Sequence, residues 1–363
     1  MEERFYYLGF SLASGIGPKT FGSLLKYFKT AKRAWEAPGT DLKNSGLGEK
    51  TTQKFITHRN NFSFEDYQRR LKLTKVNFLA LCDKTYPDLL KQIPNPPIVL
   101  YYKGNLKNVD FNRAIAIVGT RKITNYGKEI TMLFSQDLAM SGLTVVSGLA
   151  LGVDAIAGWG AVNVNGKTIA VMGNGVDLAF PNVNKPLYDK ILDGNGIIVS
   201  EFPLGMTPTA GSFPSRNRII AGLSLGVLVT EGAEDSGSLI TADYAFKFNR
   251  KVFAVPGPIT SSLSAAPLRL IEKGAKLVIS AEDILKEFKI QNAKVKIASQ
   301  KSKLLNLSKE EQKIVEMLEN ESLHFDEIVR RLKLDSSKAG IILSMMEIKG
   351  LIQDNGGNLC LKN

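Results

Sequence analysis

The feature that most restricts the fold is a repeated unit of apolar run, turn residues and helical pattern through the middle of the chain. The runs are AIAIV (114–118), TVVS (144–147), TIAVM (168–172), IIVSE (197–201), GVLVTE (226–231) and KVFAV (251–255). They are rich in Val and Ile and nearly continuous, as parallel strands become when helices cover both faces of a sheet. The intervening patterns predict helices over 124–141, 153–164, 184–194, 215–224, 237–249 and 265–273. The fold class is therefore α/β, with a doubly wound, mostly parallel sheet.

Composition narrows the function classes. The 363 residues carry 47 Lys+Arg against 35 Asp+Glu, a net charge of +12. Only two cysteines (Cys82 and Cys360) and two histidines (His58 and His324) occur. That excludes a disulfide framework and a Cys-rich zinc site, and it argues against a histidine metal centre; no metal or cofactor is expected. The start, MEERFYYLGF, is not a signal peptide, and no apolar run reaches the length needed to span a bilayer. A cytoplasmic protein with a polyanionic partner and no membrane contact is the expectation.

The charge is unevenly spread. Residues 1–112 hold 18 basic and 10 acidic groups, residues 113–285 hold 15 and 14, and 286–303 hold 6 and 1. Residues 304–363 hold 8 and 10. These blocks predict an N-terminal helical region with its connector (1–112), the α/β domain (113–285), an exposed basic linker (286–303) and a C-terminal domain (304–363).

Doubly wound sheets bind ligands at the carboxyl ends of their strands. Here those ends are rich in glycine and cations: Gly119, Thr120 and Arg121 after the first strand, Gly148 after the second, and Gly173 after the third. Lys185 opens the next helix, with Tyr188 one turn on, and Arg216 and Arg218 open the helix after the fourth strand. Glycine allows close backbone approach, guanidinium groups grip phosphates, and a cation beside an aromatic suits single-stranded nucleic acid. Each residue also has a plainer reading. The glycines make tight turns, Arg216 or Arg218 pairs with an acid inside the fold, and Tyr188 is core.

Other chemistries fit less well. Gly173-Asn174-Gly175 lacks the third glycine of a dinucleotide fingerprint, and GIGPKT (15–20) is not a P-loop. Both histidines lie outside the α/β domain, so a general base would have to be Asp154, Asp177 or Glu231. Each of these equally suits orienting a loop. No catalytic set stands out, and a binding protein rather than an enzyme is expected.

These segments together resemble the DNA-processing protein A family (DprA, also called Smf). The resemblance is carried by IAIVGTRKITNYG (115–127), VVSGLALGVDAIAGWGAV (145–162) and TIAVMGNGVDLAFPNVNKPLYDKI (168–191). It continues through SEFPLGMTPTAGSFPSRNRIIAGLSLGVLVTEGAEDSGSLITADYA (200–245) and VFAVPG (252–257). It implies an extended Rossmann domain that binds single-stranded DNA and dimerises, and a recombination mediator. Such a mediator protects incoming DNA and loads the recombinase RecA onto it during natural transformation. It further implies that Arg121 and Lys185 contact the DNA backbone, that Tyr188 stacks on a base, and that Asn217 lies in the same pocket. Gly158, Ala266 and Leu268 depart from the family pattern, which has histidine, Gly and Asn at those places. A second reading is a nucleotide-processing enzyme, because related Rossmann folds of the lysine-decarboxylase-like group cleave nucleoside monophosphates. TEGAEDSGSLIT (230–241) has their phosphate-friendly residues without their glutamate spacing.

The flanks read as helical modules. LASGIGPKTFGSLLKYF (12–28) and SGLGEK (45–50) carry Gly-x-Gly turns of the helix–hairpin–helix or SAM-like kind, suited to DNA contact or to a structural cap. Residues 304–363 read as a winged helix: Ser308 and Glu311 form a capping box, and Asn355, Gly356 and Gly357 form a hairpin turn. Its third helix offers only Lys338 and Lys349, too few for base readout, and suits partner binding or an auxiliary role.

Overall fold

A computed structural model describes residues 1–290, 308–318, 321–332, 334–348, 351–355 and 358–361. Most of the expected basic linker, together with Lys349, Gly356 and Gly357, lies outside the described residues. The chain divides into two compact units after Gln291.

The first unit begins with six helices: α1 (Glu3–Ser11), α2 (Pro18–Phe28), α3 (Ala31–Glu36), α4 (Gly39–Asn44), α5 (Glu49–Asn61) and α6 (Phe64–Leu73). Their boundaries follow local chemistry. Pro18 sits in the first turn of α2, and Thr30 and Ser63 accept hydrogen bonds from the first-turn amides of α3 and α6. The helices close around aromatic side chains; the Phe10 and Phe55 rings stack 4.9 Å apart, with Trp35 edge-on to both.

The sheet has nine strands: β1 (Asn77–Ala80), β2 (Val99–Gly104), β3 (Ala114–Val118), β4 (Thr144–Ser147), β5 (Thr168–Val171), β6 (Gly196–Ser200), β7 (Gly226–Val229), β8 (Lys251–Ala254) and β9 (Lys276–Leu277). Their spatial order is β1-β2-β6-β5-β4-β3-β7-β8-β9. All six expected strands are present and pair in parallel. Strands β1 and β2 come from the segment read as the N-terminal region and its connector. They extend the sheet: β2 pairs antiparallel with β6, with Tyr101 opposite Ser200, and β1 pairs antiparallel with β2. The buried Tyr101 hydroxyl lies 3.2 Å from that of Ser11 and accepts a hydrogen bond from Tyr67, which fastens the helices to the sheet edge.

Helices α7 (Asp88–Lys91), α8 (Asn125–Met140), α9 (Val153–Asn163), α10 (Lys185–Lys190), α11 (Ser212–Leu223), α12 (Gly237–Lys247), α13 (Ala265–Glu272) and α14 (Ala281–Glu287) complete the unit. Helix α10 is shorter than the predicted 184–194, because the chain widens into a turn over Ile191–Asn195 with Gly194 at φ +100°.

The second unit is a winged helix: α15 (Lys309–Leu318), β10 (Leu323–His324), α16 (Phe325–Leu332), α17 (Ser336–Ile348), β11 (Ile352–Asn355) and β12 (Asn358–Leu361). Ser308 and Glu311 form the expected capping box, each side chain accepting from the other's amide. Helix α17 turns Ile341 and Met345 outward, 65% and 48% exposed, where a groove reader would carry polar side chains. Among the described residues no helix is long and apolar enough to cross a membrane.

Candidate nucleic-acid interface

Strand β3 pairs with β4 on one side and β7 on the other, so the chain winds away in both directions from this point. The loops that leave β3 and β7 therefore diverge and open a crevice at the carboxyl edge of the sheet, the switch-point position of such folds. Its volume is about 670 Å³. One wall is the loop Gly119–Lys122, the other is the first turn of α12, and Phe213, Arg216 and Asn217 of α11 form the floor.

The β3 loop is pinned by its own backbone. The Thr120 amide donates to the Glu231 carbonyl at 2.8 Å, and the Thr120 carbonyl accepts from Val153 at 3.1 Å. Arg121 is thus left to project outward. Its guanidinium lies 5.1 Å from the centroid of the Phe213 ring, and Phe180 is the next ring, 6.2 Å from Phe213 and 42% exposed. Gly173 passes close beneath, so that a Cβ there would lie 3.2 Å from Phe213. The cation-beside-aromatic pair is present, then, but between Arg121 and Phe213.

Tyr188 is not that partner. It is 5% exposed, and its hydroxyl donates to the Val176 carbonyl at 2.5 Å. Burial pushes its ionisation up to about 12. The expectation that it stacks on a base is corrected: its ring belongs to the core. Lys185, one turn earlier, faces solvent and pairs with Asp189 at 2.6 Å. Asn184 beside it donates to the carbonyls of Leu149 and Ala150, which ties the start of α10 to the β4 loop and so to the same edge of the sheet.

The two arginines of α11 also depart from the expectation of free cations. Arg216 is 4% exposed, and its Nη1 donates to the carbonyls of Gly148 (2.6 Å) and Val171 (2.5 Å), joining the ends of β4 and β5. Asp154 lies close by, accepting from the Gly148 amide at 3.1 Å. Burial raises the Asp154 carboxyl, while the charge of Arg216 opposes that rise. Gly148 is required here, because a Cβ would run into both Arg216 and Asp154. Arg218 forms a largely buried ion pair with Glu201 and donates to the Asn95 carbonyl at 2.7 Å, away from the crevice. Asn217 does line the crevice and donates to the Gly237 carbonyl at 3.3 Å.

The carboxylates weighed as general bases each hold a loop. Asp154 supports the β4 turn, Glu231 accepts from the amide and hydroxyl of Thr124 at the start of α8, and Asp177 accepts from the Gly205 amide. Sequence reasoning missed Phe213, Phe180 and Lys122. A signal for Phe213 existed, since it lies one turn before Arg216 in a segment already singled out.

Residues 77–289 match the model of the DNA recombination-mediator protein A family, and residues 298–358 match that of the DprA winged helix domain. The chain belongs to the DNA recombination-mediator protein A family. Protein Smf of Synechocystis is 42% identical over 288 residues, covering 78% of this chain and 72% of its own. DNA processing protein DprA of Bacillus subtilis is 41% identical over 217 residues, covering 60% and 73%. The solved structure of DNA processing protein A from Streptococcus pneumoniae superposes with a TM-score of 0.69 at 34% identity, covering 78% of this chain and 97% of that one. That from Helicobacter pylori, solved to describe its single-stranded DNA binding mode, gives 0.53 at 31%, covering 59% and 95%.

The three positions expected to depart from the family pattern have distinct surroundings. Gly158 leaves room for Leu187, whose Cδ2 would lie 2.8 Å from a Cβ at 158, and this lets α10 close on α9. Ala266 is fully buried, and its amide donates to the Gly232 carbonyl at 2.9 Å, seating α13 behind the β7 loop. Leu268, on the same helix, is partly exposed.

Proposed function

We propose that the crevice at the β3–β7 switch point holds single-stranded DNA, and that the protein acts in the cytoplasm as a recombination mediator. It protects incoming strands and passes them to RecA during natural transformation. The observation that carries this reading is the Arg121 guanidinium set against the Phe213 ring at the mouth of a glycine-framed crevice. Arg121, with Lys122 beside it and Lys185 along the same edge, neutralises successive phosphates. Phe213 and the exposed Phe180 offer faces on which bases stack without sequence preference. Gly119, Thr120, Gly148 and Gly173 shape the loops, and Asn217 supplies an amide at the crevice floor. A second copy of the chain, joined through the sheet-bearing unit, and RecA are the protein partners in this reading.

The test is a comparison of single- and double-stranded oligonucleotides of one sequence at rising salt. Retention of the single strand is expected to dominate, with log K falling linearly against log salt at a slope of about −0.7 per phosphate contacted. Equal retention of both forms, or affinity that ignores salt, contradicts the reading.

A further inference from the structure

With Tyr188 in the core, the Lys185 edge has lost its expected aromatic, yet a different ring lies next to it. Trp159 of α9 packs against the apolar core on one side, is partly exposed, and lines a surface hollow of about 510 Å³. Pro186, Leu192, Asp189, Lys190 and Asp193 line the rest of it. The hollow adjoins Lys185 directly, because its lining residue Asp189 is the one that holds the Lys185 ammonium at 2.6 Å. Gly158 lets this wall form: without a Cβ at 158, Leu187 packs onto α9, and Pro186 next to it lines the same hollow as the indole.

We propose that Trp159 is a base-stacking platform, taking the nucleobase next to the phosphate held by Lys185. This rests on the reading of the crevice edge as a single-stranded DNA path. The chemistry of the hollow selects a base over a phosphate. Asp189 and Asp193 repel an anion inside it, whereas an uncharged aromatic ring lies on the exposed part of the indole and gives up little hydration. Lys185 and Lys190 carry the backbone at the rim; in the free protein they are masked by Asp189 and, at 3.9 Å, by Asp193. Exposed pairs of this kind are weak enough for a phosphate to displace.

The chain contains only two tryptophans, and Trp35 is 6% exposed within the aromatic core, out of reach of a stacking base, so a DNA-dependent loss of indole emission reports on Trp159. The experiment titrates the full chain with a labelled oligothymidine, reading label anisotropy and tryptophan emission together. Saturation is expected to quench the wild-type emission. Trp159→Phe keeps a ring and is expected to bind within about twofold of wild type without the quench, while Trp159→Ala binds about tenfold more weakly or worse. Circular dichroism of both variants checks that the fold is kept. Three results overturn the proposal: a saturated complex with unchanged emission, Trp159→Ala within twofold of wild type, or an emission change that follows protein concentration without DNA. The last would mark a contact between copies of the chain. Absence of any complex by anisotropy is a separate outcome, which removes the single-stranded DNA reading itself and this proposal with it.

Discussion

Arg121→Glu is expected to weaken single-stranded DNA binding by about a hundredfold or more. A charge-assisted hydrogen bond contributes about 1.5–3 kcal/mol, and reversing the charge adds repulsion in a crevice that phosphates must enter. The fold does not depend on this side chain. Arg121 is exposed, and its guanidinium rests against the face of Phe213. The melting temperature should therefore stay near that of wild type, within the roughly 0.5 kcal/mol typical of surface changes. Arg121→Gln should fall between the two, since it keeps a donor without the charge. Lys185→Glu is expected to cost about tenfold, because Lys185 meets phosphate as a point charge and must first leave Asp189. Fluorescence anisotropy at fixed salt measures all three. An Arg121→Glu protein that binds like wild type would remove the residue from the interface.

Arg216→Leu is expected to act in the opposite way, on stability first. The substitution leaves the Asp154 carboxylate buried without its nearby cation and orphans two carbonyl acceptors at the ends of β4 and β5. Leaving a buried charge uncompensated typically costs about 3–5 kcal/mol, a large part of the stability of a domain. Pairing it with Asp154→Asn should restore part of the loss, because the uncompensated charge is gone. The pH dependence has a definite sign. Burial already raises the Asp154 carboxyl, and losing Arg216 raises it further, so the folded variant binds a proton more readily than the unfolded chain. The deficit of the single variant should thus shrink as pH falls through the raised ionisation range and be largest at neutral pH and above. Urea denaturation at neutral and acidic pH reads this. A deficit under about 1 kcal/mol at neutral pH would return Arg216 to the set of free cations facing DNA.

The contrast between these arginines shows what was legible in the sequence. The six parallel strands were readable because strands covered on both faces become continuous apolar runs, a property of each segment alone. Strands β1 and β2 were not, because β2 finds its antiparallel partner in the distant β6 and β1 pairs only with β2, and β2 follows a segment interrupted by Pro94, Pro96 and Pro97. At the site, Arg121 was readable from its place after the first strand. Its aromatic partner was not, since Phe213 lies 92 positions away and meets it only once β3 and α11 share the edge of the sheet. Tyr188 was misplaced for a related reason. Spacing along a helix gives neighbours but not which side is buried, and α10 is pressed inward through Leu187 against Gly158. Arg216 and Arg218 share that ambiguity, which only the positions of the Gly148 and Val171 carbonyls and of Glu201 resolve.

Where the strand lies is the central claim, and photocrosslinking tests it most directly. Oligothymidine carrying 4-thiothymidine would be irradiated on the full chain, and the crosslinked peptides mapped by mass spectrometry. The predicted crosslinks fall on peptides containing Arg121 and Lys122, Phe180 and Phe213. Crosslinks confined to residues 1–73 or 308–361, with none between 119 and 241, would contradict it.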